Sequence, residues 1–166
     1  MPYKRIDNIR IEGAYILPKP FRNFSGEPGR YNRKGDRSFV TRIDDADMAK
    51  KLREDGWNIR EYIRKDDPDA DPVYQLQVAV RFNDYPPKVV MICDGVQTRL
   101  DEEMVGELDT AIITEADIDI RPYHWQLDDG REGIKAYLQT GYFTIENQDP
   151  FAAKYANEET PVDVPF

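Results

Sequence analysis

The sequence has little of what most catalytic and secreted chains depend on. It holds one cysteine, Cys93, so no internal disulfide can form, and a reducing, cytoplasmic setting is the expectation. Its one histidine, His124, rules out His-rich metal sites and argues against His-based acid–base catalysis. Apolar runs such as KVVMIC fall far short of the ~20 residues of a membrane helix. The opening MPYKRIDNIRIEG has no uninterrupted apolar stretch of the secretory kind. The glycine-rich lysine loop of phosphate binding, the HExxH helix and the CxxC pair are all missing. No cofactor, no metal and no membrane partner is expected, and a non-enzymatic role is the leading reading.

What the chain does have is charge. Of its 166 residues 33% are charged and 40% hydrophobic, enough for one core and a large solvated surface. A net charge of −9 argues against a polyanionic partner until its distribution is considered. From Lys19 to Arg42, seven cations stand against two acids, a local +5 that leaves −14 on the remainder. From Glu146 onward, five acids face Lys154 alone, a local −4. Basic near the front and acidic at the back, the chain is polarised in the way of interaction tails.

The pattern of hydrophobic residues is that of short strands. IRIEGAYIL reads as a first strand bent at Gly13, and RSFVTRI as a second. Between them PKPFRNFSGEPGRYNRKGD is expected to be a long loop. Asp44 or Asp45 caps a helix carrying Met48, Ala49 and Leu52, with Gly56 as its stop and Trp57 as a core anchor. WNIREYI is a short strand. VYQLQVAVRF alternates cleanly, placing Tyr74, Leu76, Val78, Val80 and Phe82 on one face. A hairpin follows, turning at Asp94-Gly95, then one or two helical turns in DEEMVGELD and a second hairpin through DDG. Antiparallel strands with a helix before the last hairpin suit the five-stranded oligonucleotide-binding barrel, elaborated here by a helical insert and the basic loop. A β-sandwich and a jelly roll are the all-β alternatives. The expected division is a barrel domain over 1–146 and a flexible acidic tail over 147–166.

Two regions have the chemistry of single-strand recognition, in which cations follow phosphates and flat rings stack on unpaired bases. The basic loop offers Lys19, Arg22, Arg30, Arg33, Lys34 and Arg37 for phosphates, and Phe21, Phe24 and Tyr31 for stacking. Its glycines, Gly26, Gly29 and Gly35, would let it mould around a strand; Phe39, within a strand, reads as core. On the final hairpin, Arg121, Tyr123 and Trp125 share a face, as do Lys135, Tyr137 and Gln139 on its partner. A surface loop and ordinary cross-strand aromatic pairing are the simpler readings. Asp117 and Asp119, helped by Glu132, would suit a Mg²⁺-dependent nuclease, an alternative of another class. Asp67, Asp69 and Asp71 mimic the start of a calcium loop but lack its glycine and its closing glutamate.

The segments FRNFSGEPGRYNRKGDRSF, DDADMAKKLREDGWNIR, YQLQVAVRF, PPKVVMI, DIDIRPYHW and GIKAYLQTGYFTIE together resemble a family of phage single-stranded DNA-binding proteins. That resemblance implies a small oligonucleotide-binding barrel that coats single-stranded DNA without sequence preference during replication and recombination. Strand annealing is its near alternative; a virion protein, with no affinity for oligonucleotides, is the remoter one. The ending DVPF resembles the acidic tip of bacterial single-stranded DNA-binding proteins. That implies a tail recruiting replication or recombination proteins, with Phe166 filling an apolar cleft, Asp163 and the terminal carboxylate meeting cations, and Pro165 stiffening the peptide. The acids of the tip are scattered here, whereas those of the bacterial tip are contiguous. A homodimer is compatible with all of this.

Overall fold

The computed structural model describes residues 6–30, 32–149 and 151. In chain order the strands are β1 (Ile9–Ile11), β2 (Tyr15–Ile16), β3 (Arg22–Asn23), β4 (Arg37–Ile43), β5 (Ile59–Tyr62), β6 (Val73–Val80), β7 (Lys88–Cys93), β8 (Val96–Leu100), β9 (Ile113–Gln126) and β10 (Glu132–Ile145). One α-helix, α1 (Ala46–Asp55), follows β4, and a 3-10 turn (Val105–Asp109) precedes β9. The helix begins where Asp45 accepts from the N–H groups of Asp47 and Met48 at 3.0 and 3.2 Å, and ends at left-handed Gly56. At the β7–β8 turn both Asp94 and Gly95 take positive φ, as a two-residue hairpin loop demands. Among the described residues no helix is long and apolar enough to cross a membrane.

The strands form one mixed sheet whose hydrogen-bonded path, β1-β9-β10-β6-β4-β2, does not close on itself. Its two ends are nevertheless consecutive pieces of chain. β1 pairs with β9 and β2 with β4, the segment bends at Gly13 between them, and the Ala14 N–H donates to the Ala116 carbonyl at 2.7 Å. Five long segments thus curl around one core, the arrangement of a partly open oligonucleotide-binding barrel. β10 runs parallel to β6 and β7 and antiparallel to β9, and the sheet branches at it, as it does at β4 and β6.

The alternation in β6 is realised: Tyr74, Leu76, Val78 and Val80 are buried. Trp57 is buried as well, and α1 covers the core beside it through Ala49, Met48 and Leu52. At the centre Phe24 stacks on Phe39 at 5.2 Å, and Phe143 meets both rings edge-on at 5.6 and 6.0 Å.

The basic loop departs from expectation. Its base is folded against the body, and Gly26 and Gly35 pack backbone on backbone. The Gly35 N–H donates to the Gly26 carbonyl at 2.8 Å, and a Cβ on Gly26 would meet Gly35 Cα at 3.0 Å. The Asn32 amide reaches the carbonyls of Glu27, Arg33 and Asp36 at 2.8 to 3.1 Å and cross-braces the turn. Its base is fixed by two buried charged side chains, each held by its own hydrogen bonds. The Arg22 guanidinium donates to the carbonyls of Ile16, Leu17, Leu108 and Ala111. The Asp109 carboxylate accepts from the N–H groups of Phe24 and Ser25 and from the Ser25 hydroxyl. Burial pushes the Arg22 pKa down, and the Asp109 charge pulls the other way. The 3-10 turn approaches so closely that a Cβ on Gly106 would sit 2.9 Å from Ser25 Cβ.

Candidate nucleic-acid interface

The outer face of β9–β10 is built by register. Period two puts Arg121, Tyr123 and Trp125 on one side of β9, and pairing sets them opposite Tyr137, Lys135 and Gly133. Trp125 lies over bare backbone: a Cβ on Gly133 would come within 2.8 Å of its Cζ2. Tyr123 meets Tyr137 edge-on at 6.0 Å. Over the Tyr137 ring stand the Arg121 guanidinium at 5.0 Å and the Lys135 ammonium at 5.3 Å, both within cation–π range. Tyr123 and Trp125 are 52% and 37% exposed, so both rings offer surface to a ligand.

This face forms one wall of a groove of about 1140 Å³. Its lining also takes Lys34 and Arg37, before and at the start of β4, and Gln77, Arg81 and Phe82, in β6 and just beyond its end. Arg37 sits 5.8 Å from the Phe82 ring centroid and pairs with Glu102 at 3.2 Å. Lys34, Arg37, Arg81 and Lys135 are balanced in part by Asp36, Glu102 and Glu132, so the lining is only mildly cationic. Rings, amides and a modest positive charge along a sheet surface are suited to hold a flexible strand of bases and phosphates.

Of the residues singled out in the sequence, Lys34, Arg37, Trp125, Lys135 and Tyr137 line this groove, and Arg121 and Tyr123 share its β9 face. Three of them take roles the sequence did not suggest. Phe24 is fully buried in the aromatic core and has no face for a base. Arg22 is spent on four backbone carbonyls and cannot follow phosphates. Tyr137 is 9% exposed, roofed by two cations and the edge of Tyr123, so it supports the surface instead of stacking on a base. Lys19, Phe21, Arg30 and Arg33 are exposed but do not line the groove. Tyr31, Asp163, Pro165 and Phe166 lie outside the described residues.

Sequence reasoning missed Arg81, Phe82 and Tyr85. β6 ends at Val80, but Phe82 keeps its place on the core-facing side, half-buried against the core, with Arg37 5.8 Å from its ring centroid. Tyr85 is 75% exposed and lies 5.7 Å from the Arg121 guanidinium. The signal was the aromatic pair in RFNDYPP, just beyond a strand and before two prolines.

The nuclease constellation does not assemble. Asp117 accepts from the Gly13 N–H at 2.9 Å, and Asp119 accepts from the Asn8 amide at 3.1 Å. Glu132 lies opposite Gln126, seven residues along β9 from Asp119, roughly 23 Å away at the strand rise, and pairs with His124. Among the described residues no group of three metal-binding side chains comes together.

A comparison with curated proteins finds no match. Among solved structures, the chain resembles the single-stranded DNA-binding protein of bacteriophage Enc34 in a C-terminally truncated form. The TM-score is 0.52 at 12% identity, over 89% of this chain and 95% of that one. It resembles the same phage protein in complex with ssDNA with TM-score 0.52 and 12% identity, over 90% and 97%. At that identity the likeness concerns the fold, which is mainly β and like that of phage single-stranded DNA-binding proteins. A family model described as "Putative phage ssDNA-binding domain" matches residues 1–164, and the chain belongs to that family.

Proposed function

We propose that the chain binds single-stranded DNA without sequence preference, and coats it during phage replication and recombination. The observation that carries this reading is the β9–β10 face, where exposed Tyr123 and Trp125 alternate with Arg121 and Lys135 on a sheet of the family's fold. Rings accept any base, because every base has a flat face, and cations accept any phosphate. A relative of the same fold has been solved in complex with ssDNA. The strand would follow the groove that this face lines together with Arg37 and Phe82. The role is one of binding, with no chemical step.

The acidic carboxy-terminal segment would recruit replication or recombination proteins. Its support is in the sequence: acids ahead of Pro165 and a terminal Phe166 suit a pocket that takes a ring and a carboxylate together.

Salt tests the groove directly. Three to five phosphates met by Lys34, Arg37, Arg81, Arg121 and Lys135 give an expected log–log slope of about −2 to −3.5, from ~0.7 per phosphate on single strands. Fluorescence anisotropy of a labelled oligothymidylate over a range of salt measures it. A slope indistinguishable from zero would remove these cations from the interface.

A further inference from the structure

Arg37 differs from the other cations of the groove. Its side chain is 16% exposed, whereas Lys34, Arg81 and Lys135 lie open to solvent. Its Nη1 donates to the Gly35 carbonyl at 3.3 Å and to Glu102 Oε1 at 3.2 Å, while its Nε is buried with no hydrogen-bond partner. A guanidinium ordinarily uses its planar fork on two oxygens of an anion, and here part of that fork is idle.

Glu102 is held in place by the turn before the 3-10 segment. Asp101 Oδ1 accepts from the N–H groups of Glu103 and Met104 at 3.0 and 2.9 Å, and the Asp101 carbonyl accepts from Val105 at 2.9 Å. The Glu102 carboxylate itself is 52% exposed, and Arg37 is its one ion-pair partner among the described residues. It can leave Arg37 without opening the core.

On the single-strand reading above, we propose that Glu102 is a resident stand-in for a DNA phosphate. Its carboxylate neutralises Arg37 in the free protein, and strand binding exchanges it for a phosphodiester oxygen. The subsite is electrically silent until a strand, already held by the exposed cations and rings, brings a phosphate close enough to compete. Glu102 thereby sets affinity below what the cations alone would give, and it lowers the number of counterions released.

The test is E102Q beside E103Q and the parent chain, each titrated with a labelled oligothymidylate across salt. Glutamine can still accept from Arg37 Nη1, so the geometry is kept while the charge goes. E102Q is expected to bind about two- to fivefold tighter at low salt, the span of an exposed ion pair. Its log–log slope should steepen by about 0.7, one further phosphate. E103Q removes the same charge from an exposed neighbour that does not line the groove, and should change neither quantity. If the parent binds and E102Q binds no tighter, or gains no more than E103Q, the exchange is wrong while the DNA-binding reading stands. If neither the parent nor E102Q binds at low salt, the DNA-binding reading falls, and the exchange with it.

Discussion

Trp125→Ala should weaken binding to an oligothymidylate by about 5- to 150-fold, the cost of one lost base–aromatic stack, and leave the salt slope unchanged. Trp125 is suited to this role by where it lies. It is 37% exposed, rests on the Gly133 backbone, and borders the groove away from the Phe24–Phe39–Phe143 core. Truncation should therefore remove affinity while the melting temperature stays close to the parent's. The slope separates the two kinds of contact: a ring contributes without releasing counterions, whereas each cation adds to the salt dependence. An isotherm unchanged by W125A would reassign this ring to covering Gly133. A large fall in stability would place it in the core instead.

Asp109→Ala carries the largest expected effect on folding. The carboxylate holds the Phe24 and Ser25 backbone and the Ser25 hydroxyl, and lies beside an Arg22 that burial already disfavours. Losing it leaves the Phe24 and Ser25 N–H groups without their acceptor, at about 1–3 kcal/mol each. At about 2–4 °C per kcal/mol for a chain of this size, the melting temperature should fall by roughly 4–24 °C. Asp109→Asn keeps one accepting oxygen and should fall less. Scanning calorimetry of the three proteins decides it; an alanine variant melting with the parent would mean the basic loop is not anchored through this carboxylate.

The elements legible in the sequence were those whose causes are local. The alternation of β6, the Asp45 cap, the Gly56 stop and the Asp94-Gly95 turn each depend on a few adjacent residues, and each formed as read. Arg121, Tyr123 and Trp125 were legible for the same reason, since a strand face is set by period two. What was hidden depends on distant partners. Arg22 reads as one more cation of a basic loop until the chain returns 86 residues later and offers it the Leu108 carbonyl. Phe24 looks like a loop ring until Phe39 and Phe143 close around it. Tyr137 is enclosed by its cross-strand neighbours, which only the register reveals. Net loop charge therefore counts a cation, Arg22, that is buried on backbone carbonyls, and it says nothing of Arg81 and Phe82, which line the groove.

The central claim is that a bare strand lies on the β9–β10 face, against rings that duplex DNA cannot reach with its bases still paired. Intrinsic fluorescence tests it most directly, because of the two tryptophans Trp57 is buried and Trp125 is partly open on that face. Titrated at low salt, poly(dT) should quench the emission to saturation, duplex of equal length should quench it little, and W125F should abolish the poly(dT) signal. Emission untouched by poly(dT), or quenched equally by duplex, would contradict the account.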